Sequence, residues 1–221
     1  MPRLSSPLAL TSLAAAAALT LAGCGGGAGA DVEIGTEPPA SFTQPSWALP
    51  IAPVGTWLTS LQNESVRVDV YQVAIAQSPE DSSWADGDTP LFVAGDPVVT
   101  LQYILTNVGE TDVMLQSGEA QTRFNYAGSD LVSIPAEHHL SDLVESQGVS
   151  TASIDHSIEP SSPEHEMPLA AGESSSWATA YWYDTGVEAS LNVEVPQFAD
   201  GEWDYDNHVI DAFTEFELQA P

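Results

Sequence analysis

The chain has 221 residues, with 32 Asp and Glu against three Lys and Arg, for a net charge of −29. A field of that sign repels nucleic acid and anionic lipid headgroups, so a nucleic-acid function is excluded and most carboxylates are left to solvent or to solution cations. Lysine is absent and Cys24 is the one cysteine, so neither a surface salt-bridge network nor a disulfide framework is open to this sequence.

The N-terminus reads as a secretory leader. Arg3 supplies a positive start, Leu8 to Leu21 an alanine-rich apolar run, and Ala22 and Gly23 the small residues before a cut. The run of 14 residues falls short of the ~20 that span hydrocarbon as a helix. Leu21-Ala22-Gly23-Cys24 resembles the lipobox of bacterial lipoproteins, in which the cysteine becomes the lipid-modified first residue of the mature chain. The resemblance implies that residues 1–23 are removed, that Cys24 carries the lipid, and that the protein is held on the extracytoplasmic face of the cell membrane. Each buried methylene contributes ~0.8 kcal/mol, so two or more acyl chains anchor it stably. Loss of Arg3 with the leader leaves two arginines against 32 acids, a net charge of −30.

Residues 24–54 are rich in Gly, Ala and Pro and carry no sustained period of 2 or 3.6, the composition of a tether. A flexible chain of that length has an end-to-end distance of about 30 Å. Trp47, Leu49 and Ile51 give its last part enough apolar surface to pack on a domain edge, while Pro45, Pro50 and Pro53 keep it extended.

Residues 55–221 have the length of one domain and are patterned mostly with period two. In VRVDVYQVAIA, Val66, Val68 and Val70 share a face before the apolar phase moves to Tyr71, Val73 and Ile75, which predicts a bulge or bend near Val70-Tyr71. In PVVTLQYILTN, Val99, Leu101, Tyr103 and Leu105 face away from Val98, Thr100, Gln102, Ile104 and Thr106, a half-buried strand ended by the turn residues Asn107-Val108-Gly109-Glu110. Residues 112–116 and 122–126 follow as short strands of a meander around Ser117-Gly118. Residues 135–168 read as a long crossover loop with one helical hint, from His139 to Val144. SSSWATAYWYD has aromatic residues on both faces, the mark of a central or covered strand; residues 190–195 and 209–218 complete the set. Seven or eight strands and almost no amphipathic helix predict an all-β, antiparallel β-sandwich.

GDPVVTLQYILTNVGETDVML and LAAGESSSWATAYWY resemble strand–turn–strand segments of immunoglobulin-like domains in bacterial surface lipoproteins. The resemblance implies an immunoglobulin-like sandwich without the cysteine pair of antibody domains, and it speaks to fold alone.

Candidate chemistry is sparse. In DGEWDYDN, Asp200, Glu202, Asp204 and Asp206 alternate, and Asp86-Gly87-Asp88 forms a second acidic turn. Hard oxygen ligands along a loop suit Ca²⁺, although the glycine and terminal glutamate of an EF-hand are missing. As a plain extended segment, the same stretch would present the acids to solvent with Trp203 and Tyr205 turned inward. His165 and Met167 form a soft pair suited to copper and resemble one fragment of extracytoplasmic copper chaperones, whose further ligands this chain lacks. Asp155-His156 lies in a serine-rich loop with no Gly-x-Ser-x-Gly elbow, and neither a phosphate-binding glycine loop nor a dinucleotide fingerprint occurs. The sequence therefore predicts a lipid-anchored, non-catalytic binding or assembly module without a cofactor. A cell-surface protein is the expected partner, met through an edge strand or an exposed aromatic such as Trp84. The alternative is a cation-handling lipoprotein, with calcium ahead of copper.

Overall fold

A computed structural model describes residues 32–82, 85–86, 88–127, 140–157, 166–184 and 186–220. In chain order the elements are β1 (Glu33–Ile34), β2 (Thr56–Gln62), β3 (Val66–Gln77), β4 (Ala85–Asp86), β5 (Thr89–Pro90), β6 (Pro97–Asn107), β7 (Val113–Gln116), β8 (Gln121–Tyr126), α1 (Ser141–Ser146), β9 (Glu166–Leu169), β10 (Ser174–Trp182), β11 (Ala189–Ala199) and β12 (Glu202–Phe216). The protein is all-β, and every pairing between these strands is antiparallel. A five-stranded sheet runs β1-β2-β3-β6-β10, and a three-stranded sheet runs β12-β11-β8. Two small ribbons, β4-β5 and β7-β9, complete the set.

Period-two patterning builds the core between the two larger sheets. Val66, Val68 and Val70 of β3, Val99, Leu101, Tyr103 and Leu105 of β6, and Trp177 and Tyr181 of β10 form one cluster with Phe124 and Tyr126 of β8, Leu191, Val193 and Val195 of β11, and Ile210, Ala212 and Phe216 of β12. Full burial of each large side chain contributes ~1.5–3 kcal/mol before entropy is counted. Within the cluster the Tyr103 hydroxyl donates to that of Tyr181 at 3.0 Å, and the Phe124 ring lies 4.6 Å from that of Tyr181. Burial pushes both tyrosine hydroxyls to higher pKa.

The faces of β6 follow the sequence pattern, but the strand is buried on both sides rather than half-buried. Its outer face, with that of β10, is covered by a second cluster in which Val98, Ala178 and Ala180 pack against Phe92, Leu140, Val144 and Val149. The short helix α1 supplies Val144 to that cover. SSSWATAYWYD is thus a covered strand, as its two apolar faces require, yet by hydrogen bonding it ends its sheet rather than lying at the centre. The break predicted near Val70-Tyr71 is present: the register of β2 on β3 shifts opposite those two residues, between Trp57 and Thr59, and that of β3 on β6 shifts between Gln72 and Ala74. Val73 is the residue bulged out, and it turns toward the second cluster.

The stretch expected as outer tether lies against the domain from residue 33 onward. Glu33 and Ile34 pair with Gln62 and Leu61, and Thr43 and Ala48 bridge to Glu173 and Ile154. Gly35 packs on Ser60, where a Cβ would collide with the hydroxyl. Gln102 ties the last turn down, donating to the Ala52 carbonyl at 3.0 Å and accepting from the Val54 N–H at 2.9 Å. The segment is held here by backbone and amide hydrogen bonds, each worth ~1 kcal/mol net, and by Trp47 and Val54, which pack on the two core clusters.

Candidate functional site

The acidic segment singled out in the sequence is the end of the β11–β12 hairpin. Asp200 and Gly201 sit at φ +55° and +84°, the two left-handed positions of a two-residue type I′ turn. Phe198 stands opposite Trp203, and their rings meet edge to face at 4.9 Å. Further up, Pro196 has no N–H to give the ladder, and the register jumps there from Val195–Ile210 through Pro196–His208 to Gln197–Asp204. Residues 205–207 are thereby looped out of β12.

That loop explains the placement of the candidate ligands. Asp204 accepts the N–H of Asp206 at 3.0 Å and of Asn207 at 3.2 Å on one oxygen, and the Asn207 amide at 2.8 Å on the other. The Asn207 side chain and these backbone N–H groups hold its carboxyl below the usual carboxylate range. Asp200 belongs to the turn, Glu202 to the first residue of β12, and Asp206 to the bulge, so the regular alternation of the sequence is broken in space. Tyr205 is 55% exposed rather than turned inward, because the bulge removes it from strand alternation. Among the described residues no group of three or more His, Cys, Asp or Glu is placed to hold a metal ion.

The copper pair divides. His165 lies outside the described residues, while Met167 is 2% exposed on β9, opposite Leu115 of β7. Cys24, Trp84 and Gly87 also lie outside them. Asp155, beside His156, accepts the Ser157 N–H at 2.9 Å, and the Ser157 side chain together with that N–H holds its carboxyl low. The Asp155 N–H donates to the Trp47 carbonyl, so this Asp-His pair sits on the strap formed by residues 45–49.

Two polar centres were missed by the sequence reading. Asp69 is fully buried on β3; Arg67 grips it with Nε at 3.0 Å and with a terminal nitrogen at 2.7 Å, and the Trp57 indole donates at 3.1 Å. Arg67 also donates to the Glu37 carbonyl, joining the strap to the sheet. The second centre is the turn between β7 and β8, where Glu119 accepts the Ser153 N–H at 3.2 Å and the Ser153 hydroxyl donates to the Ser117 carbonyl at 2.9 Å. Gly118 lets the Trp47 ring approach, since a Cβ there would lie 2.7 Å from it. Burial pushes the Glu119 carboxyl up to about 7, against the hydrogen bonds from Ser153, which pull it down. Charged residues two positions apart on a strand signal the first centre; nothing local signals the second, because its partners lie 34 and more residues apart.

The outer face of the three-stranded sheet is polar and solvent-facing. Arg123 of β8 pairs with Glu194 of β11 at 3.0 Å, and Phe213 of β12 stands 59% exposed opposite Asn192. Asp211 and Glu215 flank Phe213 on the same row.

No family model matches the chain, and a comparison with curated proteins finds no match. Among solved structures it is similar to the crystal structure of "a putative lipoprotein (ycdA) from Bacillus subtilis", at 12% identity and a TM-score of 0.36 over 71% of this chain. The match spans 37% of that chain, little more than a third of its length.

Proposed function

We propose that this protein is a lipid-anchored extracytoplasmic module that works by binding or assembly rather than catalysis, with Cys24 as the lipidated residue. The observation that carries the reading is the place of Cys24: it closes an apolar leader and stands nine residues before Glu33, where the chain joins the sheet. The polar centres of the domain support a binding role over a catalytic one, since the Asp69 and Glu119 carboxylates are spent on straps that fasten residues 37–49. The order β3-β6-β10 across from β12-β11-β8 supports an immunoglobulin-like sandwich, in which strands A, B and E face G, F and C. The exposed row Asp211, Phe213 and Glu215 on an edge strand is the surface we assign to a protein partner.

The test is fatty-acid labelling and membrane fractionation of the full-length chain beside Cys24→Ala. The native chain is expected to take up label, to sediment with membranes and to be cut by protease added outside the cell, whereas Cys24→Ala is unlabelled and leaves the membrane. An unlabelled native chain, or one protected from external protease, would overturn the proposal. For the partner, a photo-crosslinking residue at Phe213 should give a discrete adduct on intact cells that the same residue at Asn125 does not.

A further inference from the structure

We infer that the protein stands on its membrane with the β11–β12 hairpin toward the lipid, and that the tip of this hairpin meets ammonium-bearing, zwitterionic headgroups. The inference rests on the Cys24 anchor proposed above and adds to it an orientation and a lipid chemistry.

The orientation follows from where the chain enters the fold. Val32 is eight steps along the chain from Cys24, and eight fully extended steps reach about 29 Å. The entry point is the end of the five-stranded sheet at which β2 finishes, because Glu33 pairs with Gln62. Asn63, the next residue after β2, donates its amide to the Val209 carbonyl of β12 at 2.7 Å. Below that tie, β12 runs back toward its own start and β11 toward its end, so the hairpin continues past the entry point. From the Val195–Ile210 pair to the Ala199–Glu202 pair is four residues of β11, about 13 Å. The other end of the same sheet, where the Ala127 N–H meets the Glu188 carbonyl before β11 begins, lies ten residues of β11 away from the tip, about 34 Å.

The lipid chemistry follows from the tip itself. Phe198 and Trp203 pack on each other outside both core clusters, and Tyr205 is largely exposed. Indole and phenol rings settle in the headgroup layer of a bilayer, and their faces attract quaternary and primary ammonium groups. Asp200 in the turn, Glu202 at the start of β12 and Asp206 in the bulge lie along the same hairpin end, Asp204 being held by its own loop, and no Lys or Arg occurs after Arg123. The exposed carboxylates of Asp200, Glu202 and Asp206 complement the ammonium of a zwitterionic headgroup and are repelled by a surface of anionic lipid, within a screening distance of about 10 Å at 0.1 M salt.

The experiment places a fluorescent amino acid at either Glu202 or Ala127 of the full-length lipoprotein. Energy transfer is then read to acceptor-labelled lipids in phosphatidylcholine–phosphatidylethanolamine vesicles. Transfer from position 202 is expected to exceed that from position 127 severalfold, and to fall when phosphatidylglycerol replaces half the lipid, recovering in 0.5 M salt. Equal or greater transfer from position 127 overturns the orientation; indifference to phosphatidylglycerol overturns the headgroup assignment. The intact mass of the purified protein separately reads the anchor. If Cys24 carries no lipid, coupling the mature chain through that thiol to a maleimide lipid lets the same transfer ratio decide the orientation.

Discussion

Replacing Glu119 with glutamine isolates the cost of holding a carboxylate under the Trp47 strap. Burial raises this group from 4.5 to about 7 in the folded state. The folded protein therefore binds a proton more tightly than the unfolded chain does, and stability falls as pH rises from about 4.5 to about 7. Below that window the acid is neutral in both states and costs nothing; above it the full penalty applies. At 1.36 kcal/mol per pKa unit the penalty is about 3 kcal/mol, a ceiling because Glu119 keeps part of its surface in water. Glutamine keeps an oxygen to accept the Ser153 N–H and carries no charge at any pH. Urea denaturation at pH 8 should then show Glu119→Gln more stable than the native chain by up to ~3 kcal/mol, a midpoint shift of about 1 M. The gain should shrink toward zero at pH 4.5, with the slope of the transition unchanged. A variant that is less stable at pH 8, or a gain that is the same at both pH values, would refute the reasoning. The first would mean that the carboxylate's hydrogen bond outweighs its desolvation, and the second that charge plays no part.

Asp69→Ala leaves the partly buried Arg67 guanidinium with only the Glu37 carbonyl and the Trp57 indole without its acceptor, and should cost about 3 kcal/mol by the same denaturation assay; a loss under 1 kcal/mol would mean the pair is free to rearrange into water. Gly201→Ala forces a Cβ into a left-handed turn position and should cost about 1 kcal/mol, with faster amide exchange confined to the hairpin; unchanged exchange there would argue against a type I′ turn. With a net charge of −29 and Asp204 already satisfied by its own loop, CaCl₂, MgCl₂ and NaCl at matched ionic strength should raise the unfolding temperature alike. Saturable stabilisation by Ca²⁺ alone, reaching ~4 kcal/mol at a thousand times its Kd, would instead promote the cation-handling alternative.

Strand alternation made much of the fold legible. The inward row of β6, from Val99 to Leu105, and the inward residues of β3 can be read off directly, because a buried face leaves a period of two whatever the strand pairs with. The same logic misplaced details wherever geometry departs from regular strands. Pro196 and the looped residues 205–207 broke an alternation that the sequence shows unbroken, so Tyr205 faces outward and the four acids lose their common row. Residues 33–54, poor in pattern and rich in proline, read as tether because hydrogen bonds from Gln102 and Arg67 to their backbone leave no trace in hydrophobic periodicity.

The charge, the lone cysteine and the strand character of the domain are local or compositional properties, and the sequence by itself determined them. Which sheet each strand joins, which carboxylates are buried and at which end of the five-stranded sheet residue 33 enters depend on contacts between residues far apart in the chain, such as Asn63 with Val209 and Glu119 with Ser153. Only the tertiary structure decided those, because the free energy of such a contact depends on whether folding brings its two partners within hydrogen-bonding distance, and neither partner's neighbours in sequence record it.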